Sequence, residues 1–166
     1  MRTATVTAIA TFAFDQITKL GVVHGLNLIE RGVIEVAPPF LVFRMAWNRG
    51  INFGLLANDA ELARWGLVLI SQAISAWVWT WVRREDPDRW AQISAGLLVG
   101  GALGNVIDRI VYGAVADFLN MSCCGFENHY AFNVADIAIF AGAAGLVIFT
   151  GGGKDKPPRK PRRKTP

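Results

Sequence analysis

Asp117 and Asp136 are the residues of this chain best placed to do chemistry. Each sits in apolar sequence, GAVADF and AFNVAD, and ionisable side chains within spans cost about 2.5 to 3.5 kcal/mol on insertion scales and so need a reason. Two carboxyls brought close together cannot both ionise comfortably; one keeps a proton and the other acts as a base. Such a pair can activate water for attack on an amide carbonyl while protonating the oxygen or the leaving nitrogen. Spacing alone leaves two readings open: this dyad, and two independently satisfied structural carboxylates. Four further ionisable residues lie in apolar surroundings: Asp15, Lys19, Asp108 and Arg109. Asp15 and Lys19 stand i, i+4 on one helical face and are expected to pair structurally. Asp108 and Arg109 are neighbours that do not share a face, so each is expected to bind another element. His24 and His129 stand alone, and the adjacent Cys123 and Cys124 have no partner cysteine. No metal-ligand pattern results, and no cofactor is expected.

Positioning these groups falls to long apolar segments. The 166 residues are 52% hydrophobic and 18% charged, against about 25% charged in an ordinary soluble domain. The apolar residues gather into four blocks, expected as transmembrane helices over about 3–25, 63–82, 90–112 and 132–153. The second block, WGLVLISQAISAWVWTWV, carries no charge and is flanked by Arg64 and by Arg83 and Arg84. A cleaved signal peptide competes for the first block, but Asp15 and Lys19 fall where small cleavage-site residues belong, so the segment is expected to stay attached. The fold class is therefore an all-α membrane protein, a four-helix transmembrane bundle. Alternation in VIEVAPPFLVFRMAW adds a small external sheet broken at Pro38 and Pro39. Phe40, Phe43 and Trp47 are candidate interfacial anchors. Gly96, Gly100 and Gly104 form a small-residue stripe that Asp108 continues, so a neighbouring helix should approach closely there.

Lys and Arg set the orientation. Arg2, the cluster Arg83, Arg84 and Arg89, and seven residues after Gly153 supply eleven of the 17 basic residues, whereas 113–131 has none. Both termini are thus expected in the cytoplasm, with 26–62 and 113–131 outside. The tail 154–166 reads as disordered and basic, held against anionic membrane lipids; nucleic acid is not an expected partner. At helical rise Asp108 lies about 27 Å, and Asp136 about 26 Å, from the cytoplasmic ends of their helices. Asp15 and Lys19 reach a similar depth, so the buried charges converge near the outer boundary. A proton or cation translocator would need polar groups through the whole membrane. A non-catalytic packing subunit is the third reading, and it predicts tolerance of Asp117→Asn.

The order DQITK at 15–19, NRGINFGLL at 48–56, GGALGNVIDR at 100–109 running into GAVADF at 113–118, and FNVADIAI at 132–139 resembles the bacterial signal peptidase II family, the lipoprotein signal peptidases. Asn52 departs from the Ala usual in that family. The resemblance implies an aspartic endopeptidase of the inner membrane with its active site near the periplasmic face. It would cleave diacylglyceryl prolipoproteins on the amino side of the lipidated cysteine, without metal or cofactor. It further implies Asp117 and Asp136 as the catalytic pair, and Asn48, Asn105, Arg109 and Asn133 as residues that bind or position the substrate. Asp15, Lys19 and Asp108 would be structural. Nothing in the sequence demands an oligomer, and a monomer is expected. Which aspartate starts as the base stays open, since the shared proton belongs to the pair.

Overall fold

The computed structural model describes residues 1–50, 60–123 and 128–150. Asn52, Cys124, the end of the fourth expected span and the basic tail lie outside the described residues. Helix α1 (Arg2–Lys19) continues into a π-helical turn, Leu20–Gly25, and a short α2 (Leu28–Arg31) follows. Strands β1 (Val33–Ala37) and β2 (Leu41–Asn48) precede the long helices α3 (Ala60–Glu85) and α4 (Arg89–Tyr112). Strand β3 (Val115–Asn120) and helix α5 (Val134–Thr150) complete the described chain. Among the described residues, three helical segments are long and apolar enough to cross a membrane: Arg2–Gly25, Glu61–Glu85 and Arg89–Tyr112. The described part of α5 is apolar but shorter, at 17 residues. Their outward faces are apolar, with Leu69, Trp77 and Phe140 all exposed, the inverse of a water-soluble surface.

Helix α4 is the centre of the molecule and packs against α1, α3 and α5. Asp88 starts it by accepting from the Ala91 N–H at 3.0 Å, and Gly113, at φ +76°, ends it in a left-handed turn. The glycine stripe faces α1, as expected. A Cβ at Gly96 would stand 2.7 Å from the Ala4 carbonyl oxygen, and one at Gly100 would stand 2.5 Å from that of Ala8. On its other side Gly101 admits α5, where an added Cβ would meet the Ala135 carbonyl at 2.5 Å. Backbones this close require small residues, which supply the van der Waals contact that drives helix association in lipid.

The sheet runs in the order β1-β2-β3, antiparallel throughout. The first two strands fall where the alternation placed them, joined through the cis bond of Pro38-Pro39. Asn48 pairs with Val115 and Ala46 with Asp117, and a bulge interrupts the β2–β3 ladder between Phe43 and Ala46. Phe132 adds an isolated bridge on the far side of β3, exchanging bonds with Leu119 at 2.7 and 3.0 Å. The third strand lies inside the segment read as a connecting loop. VADFLN is buried at almost every position, so it shows no alternation, and only pairing with the distant β2 reveals it. Phe43, expected as an interfacial anchor, packs edge-on against Phe118, with ring centroids 6.0 Å apart, whereas Phe40 and Trp47 are exposed.

Candidate active site

Beneath the site lies a buried ion cluster. Lys19 Nζ stands 2.8 Å from Asp15 Oδ2 and 2.8 Å from Asp108 Oδ2, and donates to Asn105 Oδ1 at 3.4 Å. The pairing of Asp15 with Lys19 is as the spacing implies. What helical spacing could not show is that the same ammonium ties α1 to α4. Each carboxylate also holds a backbone N–H. Asp15 Oδ1 accepts from Ala135 at 2.9 Å, inside the first turn of α5, and Asp108 Oδ2 accepts from Ala116 at 3.2 Å, one residue before Asp117. Gln16 Nε2 donates to Asp15 and Asp108 as well. The cluster therefore fixes the backbone on both sides of the site.

Asp117 is carried by β3 and is 3% exposed; Asp136 is in the first turn of α5 and half-buried. Asn133 joins them. Its Nδ2 donates to Asp117 Oδ1 at 2.6 Å and to Asn105 Oδ1 at 3.2 Å, while its Oδ1 accepts from the Asp136 N–H at 2.9 Å. Asp136 Oδ2 accepts from the Asn133 N–H at 3.2 Å, and its Oδ1 accepts from Asn105 Nδ2 at 2.8 Å. The Asn-x-x-Asp spacing is thus a reciprocal helix cap in which two otherwise orphaned backbone donors of α5 are satisfied. The remaining oxygen of Asp117 accepts from Asn48 Nδ2 of β2 at 3.1 Å. Three asparagines from three elements orient the two carboxylates.

The Arg109 side chain hydrogen-bonds no other element among the described residues. Its Nη1 donates to the Asn105 carbonyl of its own helix at 3.2 Å, its Nε is buried without a partner, and among the described residues it hydrogen-bonds neither aspartate. Sequence reasoning also passed over Arg64, taken only as a flanking charge. It binds the last turn of α4, Nε to the Arg109 carbonyl at 2.7 Å and Nη2 to that of Ile110 at 3.0 Å.

Burial, and then the nearby charge of Asp136, push the Asp117 carboxyl up to about 6, against the opposing bonds from Asn48 and Asn133. A cavity of about 350 Å³ opens beside Asp117, between Ala46 to Gly50 on one side and His129 to Ala131 on the other. One wall is thus the end of β2 with the two residues that follow it.

A core of long apolar helices, a small sheet and two carboxylates linked through Asn133 make up the frame of this site. Residues 7–150 match the family model of signal peptidase (SPase) II. The lipoprotein signal peptidase of Methylobacterium sp. (strain 4-46) is 43% identical over 144 residues, covering 87% of this chain and 86% of the relative. That of Methylorubrum extorquens (strain PA1) is 42% identical over 147 residues, 89% of this chain and 84% of its own. Two solved bacterial membrane enzymes, each 27% identical, superpose with TM-scores of 0.74 and 0.76, over 95% and 93% of this chain and 94% and 96% of theirs. The chain belongs to the signal peptidase II family.

Proposed function

We propose that this protein is an aspartic endopeptidase that removes the signal peptide of diacylglyceryl-modified prolipoproteins on the amino side of the lipidated cysteine. The observation that carries the reading is the Asn133 side chain, bonded to Asp117 and, through its cap, to Asp136. A carboxylate pair held in one network beside an open cavity is what water-activated amide hydrolysis needs.

In the mechanism, Asp117, the more buried of the two, carries the shared proton, and Asp136 is the base. Asp136 takes a proton from water as the water oxygen attacks the scissile carbonyl carbon. Asp117 protonates the carbonyl oxygen, giving a neutral gem-diol. On collapse, Asp136 returns its proton to the leaving amine, a diol hydroxyl re-protonates Asp117, and the C–N bond breaks. No covalent enzyme intermediate, metal or cofactor takes part. Arg109 positions the substrate peptide, and Asn48, Asn105 and Asn133 hold the carboxylates in place.

The same reading makes 1–153 one peptidase domain with four spanning helices, α5 forming the last, followed by the basic tail 154–166. Both termini are cytoplasmic, and the sheet lies on the periplasmic face of the inner membrane. There the diacylglyceryl chains of the precursor sit in the outer leaflet and the signal peptide crosses as a helix, so the scissile bond meets the carboxylates at their own depth. The enzyme works as a monomer among membrane lipids.

The test replaces Asp117 or Asp136 by Asn in the full chain and follows conversion of a diacylglyceryl prolipoprotein to its shortened form. Loss of cleavage in folded, membrane-inserted variants is expected, and undiminished cleavage by both removes the proposal.

A further inference from the structure

Arg64, near the start of α3, ties that helix to the end of α4. Its guanidinium uses one edge, Nε and Nη2, to bond the carbonyls of Arg109 and Ile110 at 2.7 and 3.0 Å. Its Nη1 donates to Glu61 at 3.0 Å, and the group lies 5.1 Å from the centroid of the Trp65 ring, which itself donates to Glu61 at 3.1 Å. The Arg64 side chain is 19% exposed, so the fork is sheltered and held from both sides.

The carbonyls it grips belong to the last turn of α4, where acceptors lack intrahelical donors and a cation is favoured. The Arg109 carbonyl also takes the Gly113 N–H at 3.1 Å, so Arg64 clamps the turn that leads α4 into β3. On one side of that turn is Asn105, the donor to Asp136; on the other is Asp117. A planar fork presents two fixed donors to successive carbonyls, a geometry that the single nitrogen of a lysine does not reproduce.

We propose that Arg64 is a positioning residue for the reaction, fixing the end of α4 so that Asp117 and the Asn105 that holds Asp136 keep their separation. The proposal rests on the carboxylate reading above. It assigns to α3, which supplies neither aspartate, control over catalytic geometry.

The experiment compares the full-length wild type, Arg64→Ala, Arg64→Lys and Val82→Ala in lipid or detergent, measuring kcat, KM and thermal midpoint on a diacylglyceryl prolipoprotein. Val82 is fully buried at the opposite end of α3 and reports the effect of loosening that helix away from the site. Arg64→Ala is expected to lower kcat by about ten- to a hundredfold, the loss typical of a small misplacement of reacting groups. KM should change by less than about twofold, since the chain loses no substrate contact. Arg64→Lys, which keeps the charge but not the fixed fork, should recover part of kcat, whereas Val82→Ala should lower the midpoint and leave kcat near wild type. Wild-type kcat in Arg64→Ala, or an equal loss in Val82→Ala, overturns the proposal. Should the alanine variant not accumulate, the lysine variant decides: unaltered kcat overturns, reduced kcat at unaltered KM supports. Asp117→Asn and Asp136→Asn run alongside separate the two failures. Activity surviving in them removes the carboxylate reading, whereas their silence beside an unimpaired Arg64→Ala removes only the role of Arg64.

Discussion

Asn133 and Asp136 bond each other twice, the backbone N–H of each donating to the side chain of the other at 3.2 and 2.9 Å. A helix start and a reactive carboxylate are therefore built from one contact, and the two roles can be separated. Serine ranks with asparagine as an N-cap, so Asn133→Ser should keep the thermal midpoint close to wild type. Its short hydroxyl cannot span to Asp117 and Asn105 together, and cleavage should fall by on the order of a hundredfold. Activity and midpoint measured on the same preparation check this, and parallel loss of both would show that the cap alone matters.

Asn48 is exposed, and its Nδ2 donates to Asp117 Oδ2. Its bond favours the ionised carboxyl, so in Asn48→Ala the Asp117 carboxyl should titrate higher than its present value of about 6. Carbon-detected NMR of labelled aspartate gives the titration directly, and a downward shift would contradict the assignment.

The pH profile follows from the same group. The shared proton is needed on Asp117, and it is lost as pH rises through about 6. The ratio kcat/KM, which reports the free enzyme, should decline about tenfold per unit well above that value. Asp136 raises the Asp117 carboxyl by its charge, so in Asp136→Asn the titration of Asp117 should move down. A flat profile between pH 6 and 9 would count against Asp117 as the acid.

Lys19 is the cation shared by Asp15 and Asp108, with side-chain exposures of 6%, 0% and 1%. Lys19→Met leaves two buried carboxylates without a counter-charge, and breaking such a cluster costs about 3 to 5 kcal/mol. A large fall in thermal midpoint is expected, read by scanning fluorimetry in detergent. A midpoint within a degree or two of wild type, a shift equivalent to well under about 1 kcal/mol, would mean the cluster is dispensable.

The parts of this molecule that were legible in the sequence are those set by local periodicity. The uncharged run from Trp65 to Val82 reads directly as part of α3, and the spacing of Gly96, Gly100 and Gly104 reads as a close helix contact. The Asp15–Lys19 pair is likewise local. Groups whose partners lie far along the chain were not legible in this way. VADFLN becomes a strand only through β2, and Lys19 meets Asp108 only once α1 lies on the glycine stripe. The asparagines at 48, 105 and 133 carry no charge to mark them, and family resemblance alone singled them out. Arg64 looked like an ordinary flanking charge because its acceptors are backbone carbonyls, which any sequence has.

Between Phe43 and Ala46 the ladder sets one extra residue of β2 against β3. Side chains alternate across a strand, so one inserted residue inverts the alternation for everything beyond it. Val115 and Asp117 share a face, and Asn48, opposite Val115, shares it with them. Deleting one residue between Ala46 and Asn48, beyond the irregularity, would set Asn48 opposite Ala116 and turn its amide to the face away from Asp117. A site that depends on parity in this way tolerates sequence change along β2 far better than it tolerates change in length.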